Sequence, residues 1–412
     1  MSQPNKTLKI KDESEIMPRT HNNHPNTNIN IEEVIEKFYT DHIIENDGRP
    51  KQGVVSKTYF DGSKYEGEVK GNMRHGKGIY TYANNDKYFG DWVDDVFEGF
   101  GIYKFENNDF YYGTLSDGKK HGQGVYKYAN GNFYSGQWAF DRKNGYGVFY
   151  NATTQGKYEG EWKENEKHGF GKYVYPNGDI YEGTWERGKK NGRGMFIFSN
   201  GTKYNGEWVD NKAHGKGTIN YYNDDFYIGY FRENKKSGYG TFVHKDETGS
   251  TAYYEGYWEH DIKHGRGLFK YFNGDIYEGQ WINDLKDGTG VYEYKNGAKY
   301  DGKWKHDKRH GIGYMIYNNK DIFEGEWRND TRHGTGKYTF LNGDYFEGEW
   351  QNGKRSGRGT YVWFDNDKSK TILSGEFKND RINGTGEVID NNGIARTMKF
   401  KDDIPIPTNT LK

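Results

Sequence analysis

Five residues in the segment YEGEWKENEKHGFGKYVYPNGDI have the types and spacing that acid–base chemistry uses. Glu159 and Glu161 offer two neighbouring carboxylates. His168 opens a His-Gly-x-Gly sequence whose glycines are Gly169 and Gly171. Histidine and carboxylate side chains can transfer protons, and a glycine-rich loop can present backbone N–H groups to an oxyanion. A catalytic site should occur once in a chain, whereas a structural element can recur, so the number of copies separates the two interpretations.

The segment recurs along most of the chain. The first glycine of each Gly-x-Gly pair stands at Gly76, Gly99, Gly122, Gly145, Gly169, Gly192, Gly215, Gly238, Gly265, Gly288, Gly311, Gly334, Gly357 and Gly384. The step is 23 residues ten times, 24 once and 27 twice, and the two longest steps contain insertions near 246–252 and 365–371. A fixed period of this length is typical of a repeat array. We therefore interpret the segment as a structural repeat.

The residues at the chemical positions change from copy to copy, which argues against catalysis. Histidine precedes the first glycine in seven copies, and Asn, Ser, Asp or Glu replaces it elsewhere. The sequence has no nucleophile elbow, phosphate-binding loop or dinucleotide fingerprint. His260 and His264 have a spacing that binds metal on a helix but not on a hairpin, and the same holds for His306 and His310. The sequence predicts no catalytic, metal-binding or cofactor-binding residue.

The composition restricts the class of protein further. Of 412 residues only 32% are hydrophobic, yet 17% are aromatic, and there are 58 glycines and 37 tyrosines. Disordered chains are poor in aromatic residues, so we expect burial by aromatic rings packed over glycines. The 59 basic and 60 acidic residues nearly cancel, so the chain has no net positive charge that would attract nucleic acid. The absence of cysteine, of a signal peptide and of a transmembrane segment predicts an intracellular protein.

Period-two alternation predicts β-strands in each copy. In YEGEW, Tyr158, Gly160 and Trp162 share one face. In GFGKYVY, Gly169 and Gly171 share a face with the two tyrosines, while Lys172 faces the other way. Glycine weakens a strand, and an aromatic ring above it compensates. We expect rings to cover the glycines of the paired strand. The covered glycines include Gly171, Gly194 and Gly217.

Ten of the eleven tryptophans follow the glycine of Tyr-x-Gly by two residues. They are Trp92, Trp138, Trp162, Trp185, Trp208, Trp258, Trp281, Trp304, Trp327 and Trp350. This pattern, followed by a turn and Gly-x-Gly-x-Tyr-x-Tyr, resembles the MORN repeat (membrane occupation and recognition nexus). The resemblance covers residues 53–400 in about fourteen copies. It implies an all-β fold, an elongated single-layer antiparallel meander of β-hairpins.

Asn-Gly pairs predict the connections between strands. PNGD at 176–179, ANGN at 129–132, FNGD at 272–275 and LNGD at 341–344 each contain one. Such pairs are typical of tight hairpin turns, where positive φ is required. We therefore expect a tight turn at each of these positions.

Two segments precede the array and one follows it. The predicted boundaries are 1–30 for a disordered segment, 31–52 for a short amphipathic helix and linker, 53–400 for the array and 401–412 for an extended tail. In the helix Ile31, Val34, Ile35 and Phe38 have helical spacing, with Asn30 as N-cap. The helix either docks a partner or caps the first hairpin, since a solenoid needs a covered end. We favour the cap.

Basic residues stand two or three positions before Gly-x-Gly in thirteen copies. Paired examples are Lys119 and Lys120, Lys189 and Lys190, Lys308 and Arg309, and Lys354 and Arg355. In a regular array these charges would form a positive stripe, suited to anionic lipid head groups or an acidic protein tail. The same turns often carry Asp or Glu, so we expect only weak lipid binding and rank protein partners first.

The resemblance implies a non-catalytic scaffold that mediates protein–protein interactions. Chains that are almost entirely repeats are similar to radial spoke head proteins of cilia and to cytoskeletal MORN scaffolds. We predict an axonemal component of the cytoplasm and cytoskeleton, with other axonemal or cytoskeletal proteins as partners and a homodimer as a compatible state. The alternative is a membrane-proximal cytoskeletal scaffold that binds phosphoinositides. A regulator that acts on an enzyme in trans is a third class.

Overall fold

The computed structural model describes residues 30–365 and 369–406. Over these ranges it contains one helix, α1 (Ile31–His42), and 31 strands. The segment predicted to be disordered lies outside the described residues apart from Asn30. Residues 407–412 of the predicted tail also lie outside them.

The strands are numbered in chain order. They are β1 (Val54–Thr58), β2 (Lys64–Lys70), β3 (Met73–Thr81), β4 (Lys87–Val93), β5 (Val96–Lys104), β6 (Phe110–Ser116), β7 (Lys119–Lys127), β8 (Phe133–Ala139), β9 (Arg142–Tyr150), β10 (Lys157–Lys163), β11 (Glu166–Val174), β12 (Ile180–Glu186), β13 (Lys189–Ile197), β14 (Lys203–Val209), β15 (Lys212–Asn220), β16 (Phe226–Arg232), β17 (Lys235–Lys245), β18 (Thr251–Glu259), β19 (Ile262–Lys270), β20 (Ile276–Ile282), β21 (Leu285–Glu293), β22 (Lys299–Lys305), β23 (Lys308–Ile316), β24 (Ile322–Arg328), β25 (Thr331–Thr339), β26 (Tyr345–Gln351), β27 (Lys354–Phe364), β28 (Lys370–Lys378), β29 (Arg381–Ile389), β30 (Ala395–Lys401) and β31 (Ile404–Ile406).

The chain divides into two units, each of which is an antiparallel hairpin meander. The first contains β1–β11 and the second β13–β31, while β12 has residues in both. From β1 to β11 each strand pairs antiparallel with the next. The same holds from β13 to β31, so pairing continues past residue 400. The predicted all-β meander with a short N-terminal helix is confirmed.

A β-bulge interrupts the alternation in the hairpins that join a Tyr-x-Gly strand to a Gly-x-Gly strand. Between β10 and β11, Gly160 pairs with Gly171 and Trp162 with Lys167, which leaves two extra residues on β11. Gly169 lies in this bulge with a φ of 56°. Residues with a side chain rarely adopt that conformation, so the bulge explains the first glycine of the pair. Strict alternation, as expected from the sequence, does not describe this segment.

Most hairpins close with one of two kinds of turn, and the Asn-Gly pairs form the longer of the two. The N–H of Tyr128 donates to the carbonyl of Asn132 at 2.9 Å, and Gly131 has a φ of 85°. This is a three-residue loop that ends in a left-handed glycine. The tighter two-residue turns join the other strand ends, where Glu164 and Asn165 have φ values of 52° and 71°. The tight turn expected at Asn-Gly is therefore formed by other residue pairs.

Helix α1 lies on one face of the first unit. We call the face that carries Tyr158, Trp162 and their equivalents the inner face, and the opposite one the outer face. Apolar residues of α1 pack against an outer-face cluster. The helix residues are Ile31, Val34, Ile35, Phe38 and Tyr39. The cluster contains the outer-face residues Ile79, Phe89 and Ile102 together with Ile43, which directly follows the helix. Asn30 donates its side-chain amide to Glu33 at 2.7 Å. Whether α1 serves as a cap or a docking element stays a prediction.

Candidate functional site

On the inner face a tyrosine ring covers a pair of glycines. Gly160 and Gly171 face each other, and Tyr158 is fully buried above them. A Cβ on Gly171 would lie 2.3 Å from the hydroxyl and 2.6 Å from the ring of Tyr158. Other glycines beneath a ring are Gly194 under Tyr181 and Gly217 under Tyr204. The covering ring is thus the tyrosine of Tyr-x-Gly and not the tryptophan.

The tryptophans connect each hairpin to the previous one through a hydrogen bond and ring contacts. The indole N–H of Trp208 donates to the carbonyl of Gly194 at 3.0 Å, and its ring meets Tyr204 edge-to-face at 5.2 Å. The same donation to a glycine carbonyl is made at 3.0–3.3 Å by Trp92, Trp138, Trp162, Trp185, Trp258, Trp281, Trp304, Trp327 and Trp350. All ten are buried. A buried indole needs such an acceptor, which explains the fixed spacing between tryptophan and glycine.

A basic residue packs against these rings in eleven copies. The ammonium of Lys167 lies 5.4 Å from the ring centre of Tyr158, 4.3 Å from Tyr173 and 4.7 Å from Trp185. Aromatic faces attract cations in this geometry. The residues in this position are Arg74, Lys120, Lys143, Lys167, Lys190, Lys236, Lys263, Lys286, Arg309, Arg332 and Arg355. We call each of them a caged cation.

Burial perturbs the titration of the caged lysines. It lowers the pKa of Lys143, Lys167 and Lys190 to about 8, because the charged form loses hydration. Burial also lowers the pKa of Lys236, although the nearby carboxylate of Asp261 opposes this effect. These lysines are therefore poor candidates for binding an external anion.

The predicted positive stripe divides between two environments. Lys120, Lys190, Arg309 and Arg355 are caged cations on the inner face. Their neighbours Lys119, Lys189, Lys308 and Lys354 are exposed at the start of each strand. The ammonium of Lys189 also lies 3.0 Å from the carboxylate of Asp210. Only about half of the predicted stripe is thus available to a partner.

Carboxylates at both ends of the strands join consecutive hairpins. Asp330, in a two-residue turn, accepts the N–H of Arg309 at 3.0 Å. At the opposite end, Asp321 accepts the N–H of Leu341 at 2.9 Å and the hydroxyl of Tyr338 at 2.6 Å. Burial raises the pKa of Asp321, but these hydrogen bonds outweigh it and hold the pKa below its usual 3.8.

The lowered pKa of Asp321 predicts sensitivity to acid. The stabilisation is complete above the pKa of the unfolded chain and is lost as pH falls through the lower folded pKa. We expect the unfolding free energy, measured with urea at about pH 7 and about pH 2.5, to fall with acidification. Asp321→Asn should be less stable at neutral pH and lose less on acidification. A loss equal to that of the wild type would show that Asp321 does not contribute.

The outer face provides a cap for the bulge. The carboxylate of Glu161 accepts the N–H of Phe170 at 3.0 Å, and His168 lies in the same bulge. The acidic residue and the histidine that suggested chemistry are therefore parts of a structural element. The equivalent cap is formed at 2.7–3.2 Å by Asp91, Gln137, Gln280, Glu326 and Glu349.

Two copies in the second unit replace this cap by tyrosine. Tyr230 and Tyr257 occupy the capping position, and Tyr239 lies between the glycines of the following pair. Their side chains remain 44%, 52% and 46% exposed, respectively. We call these three residues the tyrosine patch. It borders a shallow cavity of about 470 Å³. Sequence reasoning missed it, although YIGYF and YEGYW show tyrosine where the other copies carry Glu, Gln, Thr, Asp or Lys.

Neither a metal-ligand cluster nor a membrane-spanning helix is found in the part of the chain that the structure describes. Within residues 30–365 and 369–406, no group of three or more His, Asp and Glu side chains is arranged to hold a metal ion. Over the same ranges, no helix is long and apolar enough to cross a bilayer.

Fourteen segments match the family model of the MORN repeat. They are residues 65–87, 88–110, 111–133, 134–153, 158–180, 181–203, 204–226, 227–248, 254–276, 277–299, 300–322, 323–345, 346–368 and 374–394. The chain belongs to the MORN-repeat family. MORN repeats are non-enzymatic modules that generally bind proteins or lipids, and this array is a repeat-based binding scaffold.

No curated protein matches the sequence of this MORN array. Among solved structures, the SAS-4 (dCPAP) TCP domain of Drosophila melanogaster in complex with a proline-rich motif of Ana2 (dSTIL) is 13% identical, with a TM-score of 0.19, over 51% of this chain and 85% of that one. The G-box domain of the microcephaly protein CPAP is 10% identical, with a TM-score of 0.22, over 51% of this chain and 100% of that one. Streptogramin B lyase is 11% identical, with a TM-score of 0.12, over 78% and 90%. Such low TM-scores carry no argument about this MORN array.

Proposed function

We propose that this MORN array is a non-catalytic scaffold that joins proteins within the axoneme of a cilium. The observation that supports a scaffold is that the two faces differ in use: inner-face residues hold the hairpins together, whereas outer-face residues remain exposed. The inner-face rings, glycines and cations are used in packing one hairpin on the next. In each unit the outer face stays accessible and carries exposed apolar side chains, such as Phe100 and Tyr146 in the first unit and Ile312 in the second. A surface of this kind suits another macromolecule better than a small substrate.

The placement of charges favours protein partners over a membrane surface. Several exposed basic residues have a carboxylate partner in the next turn, as Arg142 has Glu164 and Lys212 has Glu233. The net charge of the whole chain is −1. Salt screens exposed charges beyond about 10 Å at 0.1 M, so little attraction to anionic head groups remains. Phosphoinositide binding is therefore our second candidate and becomes an outcome of the test.

The choice of the axoneme rests on the resemblance to radial spoke head proteins, in which MORN repeats also make up much of the chain. We expect a tagged full-length chain expressed in ciliated cells to lie along the axoneme. It should remain there after detergent removes the membrane, because protein contacts do not depend on lipid. Fluorescence microscopy before and after extraction measures this directly.

A charge-reversal variant provides the control. Only the exposed lysines Lys119, Lys189, Lys308 and Lys354 are changed to Glu, since reversal of the caged cations would disturb the fold. We expect this variant to keep its cellular position and the wild type to bind phosphoinositide liposomes weakly. Release of the protein by detergent, or tight liposome binding that the variant loses, would favour the membrane scaffold instead.

A further inference from the structure

We propose that the tyrosine patch binds a proline-rich segment of a partner protein in the extended polyproline II conformation. This inference rests on the proposed scaffold function and names the chemistry of one partner. The patch lies wholly within the second unit, on the outer face of β16, β17 and β18. Spacing, hydrogen-bonding capacity and charge support this occupant independently.

The spacing of the rings matches the pitch of such a segment. Tyr239 pairs with Tyr257 across β17 and β18, and their ring centres are 5.5 Å apart in an edge-to-face arrangement. Tyr230 and Tyr257 stand two strands apart, which corresponds to about 10 Å. A polyproline II helix repeats every three residues with a rise of about 3.1 Å each, or about 9 Å per turn. Prolines three positions apart can therefore contact Tyr230 and Tyr257, the two outer rings of the patch.

The patch also offers hydrogen-bond donors that the capped copies satisfy with a side chain. In capped copies the N–H between the two glycines bonds to Glu, Gln or Asp, as Thr335 does to Glu326. Because Tyr230 and Tyr257 replace the capping side chains, the N–H groups of Tyr239 and Arg266 receive no such side-chain bond. The carbonyls of a polyproline II segment have no internal donors and need external ones.

The charges around the patch favour particular residues at the two ends of the proline-rich segment. Lys216, Arg232 and Arg266 are exposed beside it, and the ammonium of Lys216 lies 5.6 Å from the ring centre of Tyr230. The nearby carboxylate of Glu255 is engaged by the hydroxyl of Tyr239 at 2.9 Å. The cations outside the rings therefore favour a proline-rich segment with acidic residues at its ends. Proline also loses little conformational entropy on binding, which suits a shallow surface.

The test measures binding of a fluorescein-labelled oligoproline peptide of about ten residues with aspartates at both ends to the full-length chain. Fluorescence anisotropy gives the affinity. The variant Tyr230→Gln with Tyr257→Gln removes two rings without adding a charge. It installs the side chain that caps the bulge in the copies with Gln137 and Gln280, so folding should be retained. We expect saturable binding by the wild type and an affinity at least about tenfold lower in the variant.

The matched control is Ile312→Thr. Ile312 is 60% exposed on the outer face of the same unit, in the position where Thr289 and Thr335 stand in neighbouring copies. The control should bind like the wild type. Three results would overturn the proposal. They are the absence of saturable binding, equal binding by the double tyrosine variant, and self-association of the wild type that the double tyrosine variant abolishes. If the tagged chain misses the axoneme while peptide binding persists, only the proposed cellular function fails.

Discussion

Replacing Gly171 by valine is expected to lower the unfolding free energy by about 3 kcal/mol. The new Cβ would lie 2.3 Å from the hydroxyl of Tyr158, and this buried ring makes edge-to-face contact with Trp162 and Trp185. The ring cannot move without disturbing both neighbours, so the strain spreads to the adjoining hairpins. Hydrogen–deuterium exchange should show faster exchange of the backbone amides in β10 and β11.

The adjacent residue supplies the control for this substitution. Lys172 follows Gly171 on the same strand but is exposed. Lys172→Val adds the same side chain on the opposite face, and its effect should stay within about 0.5 kcal/mol. Similar destabilisation by both substitutions would contradict the assignment of the inner face.

Replacing Arg309 by glutamate is also expected to lower the unfolding free energy by about 3 kcal/mol. The guanidinium lies 4.3 Å from the ring centre of Trp327, and its Nε is 3.1 Å from the carboxylate of Asp330. The substitution places an anion against the negative face of an aromatic ring and beside another carboxylate. Urea unfolding followed by tryptophan fluorescence measures the loss.

The neighbouring residue again provides the comparison. Lys308 is exposed and makes no contact with the aromatic rings that hold Arg309. Lys308→Glu changes the charge by the same amount but should alter stability by no more than about 0.5 kcal/mol. Equal losses would mean that net charge and not the aromatic contact decides stability.

The sequence by itself determined the repeat and its strands. The fixed spacing of Tyr158, Gly160 and Trp162, and of Gly171 after them, predicted paired strands with rings over glycines. This worked because alternation on a strand is a local property that each copy repeats. The amphipathic spacing of Ile31, Val34, Ile35 and Phe38 likewise predicted α1, which the structure places at Ile31–His42.

The tertiary structure alone decided which ring covers which glycine and which basic residue is caged. Trp208 and Tyr181 both lie near Gly194. The register between hairpins places the ring of Tyr181 above the glycine, whereas the indole N–H of Trp208 donates to the glycine carbonyl. Lys119 and Lys120 both belong to β7, where successive side chains point to opposite faces, so Lys120 faces the inner-face rings while Lys119 does not. The exposure of the tyrosine patch follows from the same register. These features depend on contacts between residues on different strands, which a local pattern cannot assign.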